Sequence, residues 1–194
     1  MKTKPLFIVM SAPSGCGKST LIDMLLQEYP DIVYSISCTT REPRGEEEDG
    51  LDYHFLSKER FEELIAENAF IEYANVHGNY YGTLKTPIVE VLAEGNSMIL
   101  DIDVQGAAKV REYVRSLPNT DPMKIGYVDI FIMPPSMEEL ERRLRGRGDT
   151  PEDQIRMRME RAVWEMDQRH WYDHVVVNDD AERCAEEILK IIAE

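Results

Sequence analysis

The sequence predicts a three-layer α/β protein built around a sheet of parallel strands. Four short runs of apolar residues have the composition of strands buried on both faces, at residues 6–10, 97–101, 127–133 and 175–177. Helical periodicity lies between these runs, for example at residues 107–114 and 137–144. Strands that alternate with helices favour crossover connections, and therefore a parallel sheet with helices on its faces.

The segment after the first strand has helical spacing of its apolar residues from Leu21 to Leu26, and Pro30 ends it. Residues 32–38 alternate like a strand, and residues 41–51 are rich in Gly, Pro and acidic side chains, which predicts a loop. A short strand is expected at residues 52–56.

The middle third of the chain is mixed and locally connected. The pattern predicts a helix around Phe61, Leu64 and Ile65, a strand at residues 70–76 and a helix at residues 87–93. We expect these elements to form a small inserted α+β subdomain, and residues 116–126 to form an exposed connection. A length of 194 residues favours one domain overall.

Composition limits the classes of function. The formal net charge of −15 argues against general affinity for nucleic acid, and no apolar run is long enough to cross a bilayer. The N-terminal residues lack the pattern of a secretory signal. Three cysteines without CxxC spacing, Cys16, Cys38 and Cys184, fit a reducing compartment. A cytoplasmic protein without a membrane or nucleic-acid partner is expected.

A glycine-rich segment between the first strand and helix has the requirements of a phosphate-binding loop. Small residues allow backbone N–H groups to face phosphate oxygens, Lys18 can reach the β- and γ-phosphates of a nucleotide, and Ser19 can ligate Mg²⁺. Ala12 occupies a position where Gly is usual, which requires a negative φ there. A purely structural turn is the alternative. The candidate ATP-binding residues are Ala12, Pro13, Ser14, Gly15, Cys16, Gly17, Lys18, Ser19 and Thr20.

Several further motifs follow this loop in order, at residues 37–46, 52–55, 70–74, 78–83, 100–106 and 143–148. Together they closely resemble the guanylate kinase family, from about Leu6 to the C-terminal helix. The resemblance implies Mg²⁺-dependent phosphoryl transfer from ATP to GMP, with dGMP as an alternative acceptor. Whether the protein is a monomer or a homodimer stays open.

The resemblance also implies how the chain is divided. The expected fold is a three-layer P-loop kinase with a parallel sheet core, an inserted small mixed α+β nucleotide-binding subdomain and a helical lid. The core would comprise residues 1–36, 96–136 and 167–194. Residues 37–95 would bind GMP, and residues 137–166 would form the lid.

Two arginines lie on the predicted loop after residue 40. Guanidinium forks suit phosphate oxygens, and the resemblance implies that Arg41 and Arg44, with Tyr53 and Tyr81, hold the phosphate of GMP. Arg41 would also take part in catalysis by orienting that phosphate. The alternative is that both arginines form surface salt bridges with the acidic residues 46–48.

Glu72 is an acidic residue between apolar neighbours, where an ionised carboxylate needs a partner. Guanine offers N1–H and N2–H₂ as adjacent donors, and the resemblance implies that Glu72 recognises this edge while Ser37 and Thr83 help to hold the base. An exposed strand with Glu72 facing outward is the alternative.

Asp101 and Asp103 lie at the carboxyl end of a predicted buried strand, where ligands bind in open α/β sheets. Asp101 is a candidate, with Ser19, for ordering Mg²⁺ or its water. The resemblance implies that Asp103 contacts the GMP nucleoside. A helix cap is the competing role.

An arginine-rich stretch spans residues 142–161. Such a stretch is ordinarily a solvated, charge-laced helix pair. The resemblance assigns three lid arginines that stabilise charge on the transferring phosphoryl group, Arg143, Arg147 and Arg158. Four others are expected to be surface charges: Arg142, Arg145, Arg156 and Arg161. The resemblance also puts Asn178 near the adenine of ATP.

Two other functions fit the same fold. A guanylate-kinase-like interaction module would bind partner proteins, although such modules usually have damaged phosphate loops and this chain retains Lys18 and Ser19. A related kinase could instead act on a different phosphorylated acceptor. The combination of Glu72 with Ser37 favours guanine.

Overall fold

The structure, a computed structural model, describes residues 4–146 and 151–193. Strands in these residues are β1 (Phe7–Ser11), β2 (Ile32–Tyr34), β3 (Cys38–Thr39), β4 (His54–Phe55), β5 (Phe70–Val76), β6 (Asn79–Leu84), β7 (Ser97–Asp101), β8 (Tyr127–Met133) and β9 (His174–Val177). Helices are α1 (Lys18–Glu28), α2 (Lys58–Ala66), α3 (Lys85–Ala93), α4 (Val104–Ser116), α5 (Pro122–Ile125), α6 (Met137–Gly146), α7 (Glu152–Asp167) and α8 (Ala181–Ala193), with a short 3₁₀ helix at Gln168–Trp171.

The main sheet has five parallel strands in the order β2-β7-β1-β8-β9. Side chains of β1 alternate between its two faces. Ile8 packs with α1, α6 and α8 on one face, and Phe7 packs with α3 and α4 on the other. Because each helix buries its apolar stripe against the sheet, helices cover both sides. The predicted three-layer fold with a parallel core is confirmed.

A second sheet of four strands, in the order β4-β3-β6-β5, lies within residues 38–84. Its apolar face packs on α2, where the ring of Phe61 stacks between Phe70 and Tyr80 at centroid distances of 4.3 and 5.1 Å. Aromatic pairs at such distances add to the area they bury. Helix α3 follows this sheet in sequence but packs against the main sheet, through Ile88 and Leu92.

Three local expectations differ from the structure. The strand predicted at residues 32–38 is two strands, β2 in the main sheet and β3 in the small one, because the chain leaves the first sheet after Tyr34. Strand β6 is absent from the sequence-based assignment. The connection predicted at residues 116–126 contains α5, which starts with Asp121 as its N-cap and buries Met123.

A charged pair is buried between α4 and the main sheet. Arg111 of α4 donates from Nε to Asp129 Oδ2 of β8 at 2.7 Å, and the side chains are 9% and 1% exposed. The backbone N–H of Asp173 donates to the other oxygen of Asp129 at 2.7 Å, and the guanidinium lies 4.6 Å from the ring centroid of Tyr172. Asp129 therefore connects α4, β8 and the start of β9.

We expect Asp129→Ala to lower the free energy of unfolding by about 3–5 kcal/mol, because it leaves the Arg111 guanidinium buried without its partner. Urea denaturation measures this. The matched control is Glu63→Ala, which breaks an exposed pair with Arg60 and should cost less than about 1 kcal/mol. A loss for Asp129→Ala no larger than for the control would contradict the prediction, and Arg111→Met with Asp129→Leu should recover part of the loss.

Among residues 4–146 and 151–193, no helix is long and apolar enough to span a lipid bilayer.

Candidate active site

The glycine-rich loop joins β1 to α1 at the carboxyl end of the main sheet. It lines a cleft of about 560 Å³, together with Asp101, Asp103 and three residues of α7. All nine residues predicted to bind ATP at this loop line the cleft, Ala12, Pro13, Ser14, Gly15, Cys16, Gly17, Lys18, Ser19 and Thr20. The N-terminus of α1 therefore opens into a cavity that can hold phosphate groups.

Two glycines give the loop its shape. Gly15 and Gly17 have φ values of +96° and +86°, a region that other residues rarely adopt. A Cβ at Gly17 would also lie 2.6 Å from Nδ2 of Asn178. Ala12 is not among the described residues with positive φ, which satisfies the condition for an alanine at this position.

Lys18 extends from the first turn of α1 toward the end of β7. Its ammonium forms an ion pair with Asp101 and donates to the carbonyl oxygen of Ile102 at 3.3 Å. The side chains of Lys18 and Asp101 are 16% and 21% exposed, so both remain accessible from the cleft. The parallel pairing of β1 with β7 puts the lysine and the carboxylate at the same sheet edge.

Asn178, after β9, supports the loop from below. The buried side chain donates from Nδ2 to the carbonyl oxygen of Cys16 at 2.7 Å. Burial raises the pKa of the Cys16 thiol to about 12, so this thiol is protonated at neutral pH and is a poor nucleophile. The hydrogen bond between Asn178 and Cys16 thus fixes the loop. The backbone of Cys16 belongs to the loop that lines the cleft, but the residue is buried.

A second cleft of about 330 Å³ lies between the small sheet and the end of β7. It is lined by five of the residues predicted to bind GMP, Ser37, Tyr53, Glu72, Tyr81 and Asp103. Asp101 and Asp103 line both clefts, so the two cavities meet at the carboxyl end of β7. Such a meeting point lets two ligands approach each other.

Glu72 of β5 lies in this second cleft and is partly buried. Its Oε1 accepts a hydrogen bond from the hydroxyl of Thr83, a buried residue paired with it on β6, at 2.9 Å. Burial raises the pKa of Glu72, while the Thr83 hydroxyl and Lys109 act in the opposite direction. Glu72 therefore faces the cleft, and the alternative from the sequence, an exposed strand with Glu72 facing outward, does not fit the structure.

Arg41 is a buried residue of the loop that follows β3. Its two terminal nitrogens donate to the two carboxylate oxygens of Glu47 at 2.8 and 3.0 Å, and the guanidinium carbon lies 5.3 Å from the ring centroid of Tyr53. Hydrogen bonding to Glu47 raises the pKa of Arg41 and lowers that of Glu47. The backbone N–H of Arg44 also donates to Glu47, at 2.7 Å.

In this conformation, Arg41 has the salt bridge that the sequence left open as an alternative. Neither Arg41 nor Arg44 lines the second cleft, and Arg44 is exposed. Tyr53 and Tyr81 do line it, with ring centroids 6.1 Å apart. Tyr53 lines the cleft and its ring lies against the Arg41 guanidinium, so Arg41 is adjacent to a residue of the cleft without lining it.

The predicted lid arginines differ in their surroundings. Arg158 of α7 lines the first cleft. Arg143 of α6 instead donates to Glu139 Oε1 at 2.8 Å and to the carbonyl oxygen of Asn178 at 3.0 Å. Arg147 lies outside the described residues. Of the arginines expected to be surface charges, Arg142 is exposed and forms a pair with Glu139 on its own helix.

Arg161 is a residue that the sequence analysis assigned to the surface and that the structure brings into the first cleft. It lines this cleft with Glu165, one helical turn further along α7. The i,i+4 spacing of an arginine and a glutamate was visible in the sequence. The contact of Arg161 with Asp103, 58 residues earlier in the chain, was not.

Comparisons with known proteins agree on one family. The family model described as guanylate kinase matches residues 3–194. A guanylate kinase of Syntrophotalea carbinolica is 45% identical over 192 residues, covering 99% of this chain and 87% of the relative. A guanylate kinase of Shewanella denitrificans is 50% identical over 188 residues, covering 96% and 86%. The crystal structure of guanylate kinase from Anaplasma phagocytophilum matches with a TM-score of 0.74 and 37% identity, covering 98% of this chain and 86% of that one. The chain therefore belongs to the guanylate kinase family.

Proposed function

We propose that this protein transfers the terminal phosphoryl group of ATP to GMP, giving ADP and GDP. The observation that carries the proposal is the pair of clefts that meet at Asp101 and Asp103. One has the features of a triphosphate site, and the other contains a carboxylate suited to guanine. Two nucleotides bound there would have their reacting phosphates side by side, which supplies much of the rate enhancement in phosphoryl transfer.

The first cleft is the donor site in this proposal. Backbone N–H groups of the loop and the N-terminus of α1 would bind the phosphates of ATP, and Lys18 would neutralise charge on the β- and γ-phosphates. Lys18 would have to exchange its ion pair with Asp101 for the phosphates. Asn178 would contribute by holding the loop, and it would also lie near the adenine of ATP.

Mg²⁺ fits the residues at this cleft. The hydroxyl of Ser19 and the carboxylate of Asp101 are hard oxygen donors, and both residues line this cleft. Mg²⁺ characteristically takes one or two protein ligands and completes its shell with water and substrate phosphates. When bound, the ion would neutralise negative charge on the phosphates of ATP.

The second cleft is the acceptor site. The Glu72 carboxylate, oriented by Thr83, would accept hydrogen bonds from N1–H and N2–H₂ of guanine, and Ser37 would contact the base. Asp103 would contact the nucleoside, and Tyr53 and Tyr81 would contact the phosphate. Adenine presents an acceptor at N1 and only a C–H at C2, so AMP would offer this partly buried carboxylate no donor at the two positions that guanine uses.

We further propose the division of labour among segments: residues 1–36, 96–136 and 167–194 as core, residues 37–95 as the GMP-binding segment and residues 137–166 as the lid. Closure of the lid would exclude water and bring Arg143, Arg147 and Arg158 over the transferring group. For Arg143 this requires release of its contact with the Asn178 carbonyl.

Arg41→Met is expected to raise the KM for GMP and to lower kcat, together by about 10²-fold in kcat/KM, because a guanidinium fork both binds and orients the acceptor phosphate. Arg41 would exchange Glu47 for the phosphate. Steady-state kinetics with GMP varied at saturating ATP measures the effect. Arg60→Met, on the neighbouring α2, is the control. Unchanged constants for Arg41→Met would leave Arg41 as a structural partner of Glu47 only.

The proposed reaction is tested by ADP release with ATP and Mg²⁺ against GMP, dGMP, AMP, UMP and CMP. We expect GMP to be the preferred substrate among the ribonucleotides. ADP release with another acceptor, and none with GMP, would identify a related kinase. No ADP release with any acceptor would favour an interaction module.

A further inference from the structure

Arg161 of α7 lies between two carboxylates on different parts of the chain. Its Nη2 donates to Asp103 Oδ2 at 3.0 Å, and its Nε donates to Glu165 Oε1 at 2.8 Å. Glu165 is on the same helix, whereas Asp103 lies two residues after the end of β7 and lines both clefts. A planar fork holds two separate acceptors in a fixed geometry, which the compact and freely rotating ammonium of a lysine does not share.

The pair with Glu165 fixes the direction of the arginine. Glu165 is buried, with 5% of its surface exposed, and burial raises its pKa while Arg161 opposes this shift. A buried carboxylate one helical turn away holds the guanidinium on the cleft side of α7. The contact of Arg161 with Asp103 is therefore made by a side chain whose orientation is already set.

Asp103 has a defined partner on each oxygen. Its Oδ1 accepts from the backbone N–H groups of Gln105 and Gly106, at 3.1 and 2.9 Å, and so caps α4. The helix cap considered from sequence is thus present. Its Oδ2 accepts from Arg161. Since a carboxylate oxygen has two lone-pair directions, Asp103 held in this way can still accept from a ligand in the second cleft.

We propose that Arg161 is a positioning residue that acts through Asp103 on the GMP nucleoside and so couples α7, beside the donor cleft, to the acceptor cleft. The inference rests on the proposed function, in which Asp103 contacts GMP. Arg161 would keep the Asp103 carboxylate turned toward the nucleoside. Displacement of α7 would break this contact, so α7 and GMP would influence each other through one ion pair.

The experiment compares Arg161→Gln with the parent protein, using the full chain. We expect the KM for GMP to rise roughly three- to tenfold, as for loss of a partly exposed charged contact, while the KM for ATP changes less than about twofold. Arg161→Lys should recover part of the loss, because it keeps the charge but not both contacts. Arg60→Gln is a matched control, since Arg60 is 48% exposed against 52% for Arg161 and also pairs with a glutamate on its own helix.

A double variant separates action through Asp103 from direct contact with substrate. In an Asp103→Asn background, Arg161→Gln should change GMP binding less than about twofold, since the partner is already altered. Calorimetric titration with GMP gives this result even where turnover is slow. Equal effects of Arg161→Gln in both backgrounds, or no effect in the parent, would overturn the proposal. If the parent protein itself does not phosphorylate GMP, the proposed function fails instead, which the nucleotide panel reveals independently.

Discussion

Lys18→Ala is expected to lower kcat for GMP phosphorylation at least several hundredfold, which corresponds to about 3.5 kcal/mol or more of transition-state stabilisation. Charge accumulates on the transferring phosphoryl group, and Lys18 is the ammonium at the N-terminus of α1 that faces the donor cleft. Its loss removes a positive charge that faces the phosphates, and a solvent molecule, being neutral, does not replace it equally well.

The same substitution should leave the fold intact. The ion pair of Lys18 lies at the edge of a cleft and is partly exposed, so its contribution to the free energy of unfolding is small. Thermal denaturation and far-UV circular dichroism check this. Lys58→Ala, which removes an exposed lysine paired with Glu62 on α2, is the control. Activity of Lys18→Ala within tenfold of the parent would remove the main support for this loop as a catalytic phosphate site.

The elements that the sequence predicted well are those whose pattern is local. β5, β7 and β8 have the predicted bounds: β5 ends at the turn that contains Gly78, β7 is a short apolar run, and β8 ends before Pro134. The phosphate-binding loop is equally local, since its glycines, Lys18 and Ser19 are adjacent in the chain. The resemblance assigned Glu72 and Thr83 separately to the guanine site, and the register of β5 and β6 brings them into hydrogen-bond contact.

The features that the sequence did not predict depend on contacts between distant segments. Nothing local marks the point where the chain passes from β2 to β3 and changes sheets. Strand β6 was missed because its polar and glycine residues lack an apolar run, although pairing with β3 and β5 stabilises it. The bridge from Arg161 to Asp103 joins residues 58 positions apart and needs the folded chain.

Arg41 shows how one residue can satisfy two interpretations. The sequence supported either a phosphate ligand or a salt bridge, and the structure has the salt bridge with Glu47. A guanidinium binds a carboxylate and a phosphate with the same bidentate geometry. Glu47 therefore keeps the Arg41 guanidinium next to Tyr53, in an orientation in which it could bind a phosphate instead. Sequence alone cannot decide which acceptor is bound, because the answer depends on which ligand is present.

Glu72→Gln is expected to lower kcat/KM for GMP by about 2–5 kcal/mol, or roughly 30-fold to several thousandfold, the range for disrupting a desolvated charged hydrogen-bonded pair. The variant keeps the side-chain size but replaces one acceptor with an amide donor. This donor would face a donor of guanine. Steady-state kinetics with GMP measures the loss, and Glu67→Gln, which alters an exposed glutamate near the end of α2, is the control.

Measurements at the donor site and of stability show whether the loss is specific. Binding of an ATP analogue should stay within about twofold of the parent, because Glu72 lines the second cleft and not the first. The melting temperature should not fall, since the substitution removes a partly buried charge and Gln can still accept from the Thr83 hydroxyl. A large fall in the melting temperature would instead assign Glu72 a structural role.

The pH dependence gives an independent test of the same carboxylate. Burial raises the pKa of Glu72, and only the ionised form offers acceptors to both guanine donors. As the pH falls through this raised pKa, Glu72 takes up a proton, and kcat/KM for GMP should decrease at a higher pH than an exposed glutamate would give. Glu72→Gln cannot titrate, so this decrease should be absent from its profile. If the variant phosphorylates GMP as efficiently as the parent and retains the parent's acid limb, another group recognises guanine.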